Sequence, residues 1–480
     1  MLRSVYLLRF HPLSRFPGPR IAAISNTWYA YAWFSGKYPF IIANAFKKYG
    51  VGDVVRIAPN EVVFLTPQAY HDIYTPPKSG GPTFLKSDMH VGGESTTSIF
   101  TEGNPEKHRA MRRVWDAAFK NAMVKQYHPS INQHLERFIS KVEGLQEGFN
   151  LTEWLEWLYL DIGGSLTFNH DYDCVAKGRE DKIIETAPGV GWFFTVRFVM
   201  RRFPLLYPLH MFLLPLKTLL SSLDISKTTE NAVSSRIERQ NELKDKDYMS
   251  VAFDDAGGAR TTQSRGFLTA GASILIFGHV ESAAVITAAF YFLMNNSASL
   301  ERLNREIRTT FSSSDSITDD ALRQLPWLEA VINETMRLHT NVPYGLPRIC
   351  PGATIDGSYI AKGCVVSSAA FATTHSSRYF ARPFDFRPER WLSSTHEYYE
   401  DVFAEDVRTA FRPFSIGARK CIGQPVAMLL MRMVLAKICF EFDIEMINKG
   451  EVNWNRDLVF STIWRKPEVF ARFHPVSRNG

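Results

Sequence analysis

Apolar positions recur every three to four residues through most of the chain and alternate with polar ones only near its two ends. That spacing predicts helices over 104–125, 128–144, 151–168, 226–243, 266–294 and 327–338. Strand signals predict a hairpin from 53–57 and 61–65 around Pro59-Asn60. They predict a second from 354–360 and 364–367 around 361–363, and a last pair from 457–464 and 469–474 around Pro467. Segment 241–247 reads as a charged, solvated loop and 312–316 as a polar connector. The expected fold class is mainly α with small β-sheets (α+β), in a single large domain.

The stretch 267–294 is apolar enough to pass for a membrane span, but it carries His279 and Glu281 near its middle. Both are expensive in lipid, so a long core helix is expected. The first ten residues hold an apolar run, Val5 to Leu8, too short to span a bilayer, with no small-residue cleavage signature. Segment 11–19 contains Pro12, Pro17 and Pro19 and predicts a stiff, non-helical connector. Residues 1–20 are therefore expected to be a stub and Pro-rich hinge lacking a complete membrane anchor, and 21–480 the catalytic domain.

Composition narrows the chemistry. The 480 residues are 45% hydrophobic and 22% charged, ordinary for a folded protein. The net charge of +6 is spread out, and no dense Lys/Arg block suggests nucleic-acid binding. A mild basic balance suits an anionic membrane surface or an acidic protein partner. The five cysteines, Cys174, Cys350, Cys364, Cys421 and Cys439, form no CxxC and no Cys/His cluster. That argues against a zinc site and for free thiols in a reducing compartment.

The decisive stretch is 414–425, Phe-Ser-Ile-Gly-Ala-Arg-Lys-Cys-Ile-Gly-Gln-Pro. If Cys421 binds iron, each neighbour has a task. Gly417 and Gly423 permit a tight fold that turns amides toward sulfur. Pro425 suits the first turn of a helix over 424–440, whose positive end lowers the thiol pKa. Arg419 can pair with a haem propionate, and Phe414 can shield the sulfur from water. A plain nucleophile and an inert core cysteine are the alternatives. Phe, Gly, Arg and Cys at this spacing arise by chance on the order of once per thousand such chains.

This loop resembles the cysteine-ligand loop of the cytochrome P450 family, and the likeness extends over nearly the whole chain from about residue 10. Glu334-Thr-Met-Arg337 resembles the family's Glu-x-x-Arg pair, which Arg390 of Phe386-Arg-Pro-Glu-Arg390-Trp would complete as a buried structural triad. Glu106/Arg109 and Glu405/Arg408 match the pair alone but lack that third partner. His108 and Arg112, four apart on one helix face, resemble a propionate-binding pair, and Arg348 of 342–348 resembles the other propionate arginine. The Pro-rich connector looks like the hinge of membrane-bound members from filamentous fungi.

The family's long central helix usually carries Ala/Gly-Gly-x-Asp/Glu-Thr, whereas this chain has Gly278-His279-Val280-Glu281-Ser282. Glu281 and Ser282 take the places of the catalytic acid and hydroxyl. His279 stands where glycine is expected. Spacing groups Gly278, His279 and Ser282 roughly on the face toward the iron. Three roles are open to His279: a hydrogen bond in the core, a place in the proton relay or pocket wall, or ligation of the iron opposite Cys421.

The resemblance implies a P450-like domain with haem b between the central helix and the Cys421 loop. It implies a monooxygenase that inserts one oxygen atom from O2 into an apolar small molecule of fungal secondary metabolism. Electrons would come from NADPH through a separate cytochrome P450 reductase, attracted by a basic surface that includes Arg419 and Lys420. The cytosolic face of the endoplasmic reticulum is the expected location. Pocket walls are expected from 82–104, 188–220, the Gly278 region and 341–346, with 188–220 also suited to dip into a membrane. A haem-thiolate dehydratase or isomerase without oxygen activation, and a non-catalytic haem sensor, are the alternatives.

Overall fold

The central helix forms over Arg265–Asn295, capped by Ser264, whose hydroxyl accepts the Phe267 amide at 3.2 Å. Its most extensive pairing is with the helix Leu151–Phe168. The two approach closely because position 163 is glycine: a Cβ there would lie 2.9 Å from the His279 side chain. The helices His128–Glu143, Pro326–Leu338 and Gln424–Glu441 pack nearby and share one large apolar core. The computed structural model describes residues 1–477 except 51–52, 76–80, 82, 88, 90–96, 241, 243–245 and 255–263, and not the side chains of 217–226 and 253–254.

Most predicted helices form within a residue or two of their expected bounds. The predicted helix 104–125 instead breaks into Pro105–Asp116, a tight turn Ala117–Phe119, and Asn121–Gln126. Burial of Trp115, Ala118 and Phe119 pulls the turn inward. The helix expected over 226–243 starts earlier and stops sooner, at Leu216–Glu238. Asp247 is buried rather than solvated, because Arg236 pairs with it at 2.5 Å; residues 241 and 243–245 of that expected loop lie outside the described residues.

The main sheet has five strands in the order Val54–Ala58, Glu61–Phe64, Val365–Ser368, Arg348–Ile349 and Leu85–Lys86. The first pair is the predicted hairpin. The second hairpin differs from expectation. It joins Ala353–Ile355 to Ser358–Ile360 through Asp356-Gly357, both at positive φ, as a two-residue turn between twisted strands requires. Val365–Ser368 instead runs parallel to Glu61–Phe64. The last predicted pair also re-sorts: Val459–Ser461 folds onto Ile463–Arg465, and Phe470–Pro475 pairs with Phe442–Met446.

The central helix is long and apolar enough to cross a membrane, yet 67% of its most apolar window is buried inside the protein. The N-terminal stub contains a short helix, Leu2–Arg9, followed by non-helical turns. The buried Arg56 holds both to the sheet. Its guanidinium donates to the Leu7 carbonyl at 2.8 Å and the Pro59 carbonyl at 2.6 Å, and its amide to the Pro17 carbonyl at 2.8 Å. Met1, Leu2, Val5 and Phe10 are exposed, as are Leu205, Leu209, Phe212 and Leu216. The stretch 188–216 thus divides into a helix ending at Met200, partly in the core, and a segment after it in which Leu205, Leu209, Phe212 and Leu216 face solvent while Leu214 is buried.

Candidate active site

The Cys421 loop closes on itself: the Cys421 amide donates to the Phe414 carbonyl at 2.8 Å. Gly417 has a φ of +74°, and a Cβ there would sit 2.3 Å from the Tyr74 carbonyl oxygen. Only glycine satisfies both conditions. Gly423 has an ordinary φ of −77°, so its backbone freedom is not used. What matters is its amide, which with that of Gln424 points at the sulfur. Phe414 is partly buried against the core.

Cys421 keeps accessible surface although it lies deep in the protein, as a group on the wall of a recess does. Burial is the strongest influence on its thiol and raises the pKa; the two amides and Arg112 oppose it. The net shift is upward, which corrects the expectation that the helix N-terminus would dominate. Burial wins because a bare thiolate is poorly solvated there. A metal cation bound to sulfur reverses that balance, since thiolate is the ligand form.

Beside the loop lies a cluster of cations. His108 is buried, with Arg419, Lys86, Arg112 and the carboxylate of Glu102 around it. Arg348 adjoins Arg419 and Lys86. Arg112 donates to the Lys420 carbonyl at 2.7 Å and pairs with Asp116 at 3.1 Å. Arg419 donates to the Glu102 and Gly103 carbonyls at 2.8 and 3.1 Å. Arg348 uses the Leu346 and Pro347 carbonyls, both at 3.1 Å. Burial and mutual repulsion push His108 down to about 4 and Arg419 to about 10. Lys86, which donates to the Phe100 carbonyl, is held well below the ordinary lysine value by burial, Arg419 and Arg348. Such a cluster calls for anionic partners, and the paired propionates of haem fit it. Lys86 and Glu102 escaped the sequence reading because no motif marks them.

Glu334, Arg337 and Arg390 are brought together and fully buried. Arg337 grips both Glu334 oxygens at 2.8 Å, and Arg390 Nε donates to Glu334 at 3.1 Å. The Trp391 indole and the Arg387 amide, each at 2.9 Å, complete the carboxylate's shell, and Asp406 pairs with Arg390. Burial alone would raise the Glu334 pKa; the arginines more than offset it and hold it below the usual carboxylate value.

One face of the central helix is open. Ile274, Phe277, Gly278, Glu281 and Ser282 keep accessible surface at helical spacing. A Cβ at Gly278 would meet nothing within 4 Å. Ser282 Oγ donates to the Gly278 carbonyl at 2.9 Å. Burial pushes the Glu281 carboxyl up to about 7; Lys466 lowers it and Glu156 raises it. His279 lies off this face, correcting the expected grouping with Gly278 and Ser282. It is buried against Gly163, stacks on Tyr248, and shares a 3.1 Å hydrogen bond between Nε2 and the Tyr248 hydroxyl. Its helical angle, roughly 100° per residue from Gly278, turns it toward the neighbouring helix. Of the expected pocket walls, Val342 is exposed and Tyr344 buried, while 82, 88 and 90–96 and the side chains of 217–220 lie outside the described residues.

A thiol with two amides aimed at its sulfur, beside a cation cluster suited to two carboxylates, defines a haem-thiolate protein. The family description Cytochrome P450 matches residues 19–472. The cytochrome P450 monooxygenase TwmD of Talaromyces wortmannii is 33% identical, the alignment covering 98% of this chain and 93% of the relative. BOA3 of Botryotinia fuckeliana is 36% identical with the same coverage. PoxC of Penicillium oxalicum is 34% identical over 98% of this chain and 91% of its own. The chain belongs to the cytochrome P450 family and is a haem-dependent monooxygenase.

Proposed function

We propose that this monooxygenase inserts one oxygen atom from O2 into an apolar small molecule of fungal secondary metabolism. The observation that carries the reading is the open face of the central helix, where an acid and a hydroxyl stand adjacent at Glu281 and Ser282. Haem bound at Cys421 supplies the redox chemistry of oxygen activation. Cys421 Sγ would be its ligand, with the iron cation favouring the thiolate and the amides of Gly423 and Gln424 adding to that preference. His108, Arg112, Arg348, Arg419 and Lys86 bind its carboxylates. Glu281, close to half-protonated at neutral pH, holds the proton that Ser282 and pocket water receive. The Glu334–Arg337–Arg390 network serves structure alone.

Two electrons per turnover come from NADPH through a separate reductase, which docks on the basic surface around Lys420. Residues 1–20 serve as stub and hinge and 21–480 as the haem domain. The exposed apolar side chains of 1–10 and 205–216 rest on the cytosolic face of the endoplasmic reticulum membrane.

The test is co-expression with a fungal reductase in yeast, feeding apolar fungal metabolites under heavy-isotope oxygen gas. A product carrying one labelled oxygen atom supports the reading. A product formed equally well without oxygen overturns it in favour of a dehydratase or isomerase.

A further inference from the structure

Glu281 is not alone on its side of the helix. Lys466, just after the strand Ile463–Arg465, and Glu156, on the helix Leu151–Phe168, are its charged neighbours. Lys466 Nζ and Glu156 Oε1 form a direct ion pair. Their side chains are only 6% and 19% exposed, so solvent screens the pair weakly. Tyr344 faces Glu281 from the segment before Arg348, and His339 faces Lys466. Burial holds His339 at about 3 and the Tyr344 phenol far above its usual value, so both are neutral near pH 7. His279, on the same helix, is also neutral, at about 4. Among the described residues, Lys466 and Glu156 are the charges that act on Glu281.

We propose that the Lys466–Glu156 ion pair is a positioning couple that sets the protonation of Glu281 and so its readiness to give and regain a proton. The inference rests on Glu281 being the proton-holding acid of the site. Lys466 alone would hold Glu281 ionised, with no proton to give. Glu156 alone would keep it protonated and slow to release. Placed together, their fields oppose at the third group, with Lys466 the stronger of the two. With Glu281 protonated the trio is neutral, and with it ionised the trio carries one negative charge. The proton that leaves Glu281 is replaced from bulk water, so no further reactant is needed. Three separate segments of the chain contribute one residue each, which is why no local motif announces the couple.

The probe is carbon monoxide on the reduced, haem-loaded protein, with the infrared stretch of the bound gas followed against pH. The wild-type band is expected to titrate once near neutrality. Lys466→Met removes a stabilising cation and raises the midpoint by about one pH unit. Glu156→Gln removes a like charge and lowers it by about as much, and Lys466→Arg returns it toward wild type. Midpoints that stay at the wild-type value, or move together in one direction, overturn the inference, because a merely structural bridge would leave the titration in place. If Lys466→Met fails to load haem, the downward shift in Glu156→Gln decides alone. Glu281→Gln keeps the two claims apart: it abolishes the titration if Glu281 is the titrating acid, and a titration that survives it defeats the Glu281 reading itself.

Discussion

Ser282 donates its hydroxyl to its own helix, at the Gly278 carbonyl, and so is held at the edge of the open face. Serine lacks the methyl that restricts threonine's χ1, and its hydroxyl is the freer of the two. Ser282→Ala is expected to increase peroxide released per NADPH oxidised at the expense of product; an unchanged ratio would show that another group delivers the proton. His279 has the opposite situation, a closed pocket with Tyr248 and Gly163. His279→Ala is expected to cost about 2–4 kcal/mol in urea unfolding, from the cavity and the stranded hydroxyl. The resting spectrum of the haem-loaded variant is expected to match wild type, and a changed axial-ligand signature would place His279 at the iron. Spacing along the helix put His279 near Gly278, but i and i+1 differ by roughly 100°, enough to move a side chain from an open face to a packed one.

At the scale of elements, the Glu334 network ties the helix Pro326–Leu338 to the turn Pro388–Trp391. Glu334→Ala leaves two buried guanidinium groups without their carboxylate and is expected to destabilise by roughly 3–5 kcal/mol, read by urea unfolding of the haem-loaded protein. A loss below about 1 kcal/mol would mark the network as replaceable. The triad was legible in the sequence because Glu334 and Arg337 share a helix face and Arg390 sits in its own short motif. The hairpins were less so. Asp356-Gly357 carries the stronger turn signal, yet Gly363, also at positive φ, drew the predicted turn to 361–363. The strand Phe442–Met446 was missed because it follows the helix Gln424–Glu441 without a break. Its partner Phe470–Pro475 lies far along the chain, and local pattern carries no information on such pairings.

At the scale of the whole molecule, Cys421 and its loop were legible because many constraints fall within a dozen residues. Lys86, Glu102, Lys466 and Glu156 were not, because each acquires its role only when distant elements meet. Burial of charge-bearing groups also sets a pH dependence. His279 sits at about 4, and His339 and His375 at about 3, chiefly through burial. Their folded values lie below the unfolded value near 6.5, so the unfolded chain binds more protons once the pH falls under that value. Stability from these groups is full above about 6.5 and is lost as the pH falls toward 3. Glu281, raised to about 7, works in the opposite sense between roughly 4.5 and 7 but is a single group. Thermal midpoints are therefore expected to fall steadily below pH 6, and a flat profile down to pH 4 would contradict the buried, neutral state of the histidines.

The claim on which the rest depends is that Cys421 holds the haem iron as a thiolate. Reducing the purified, haem-loaded protein and adding carbon monoxide tests it most directly. The structure predicts a Soret band displaced to the long wavelength that thiolate ligation gives, lost in Cys421→Ser. A folded, haem-loaded protein without that band, or one in which Cys421→Ser retains it, would contradict the account.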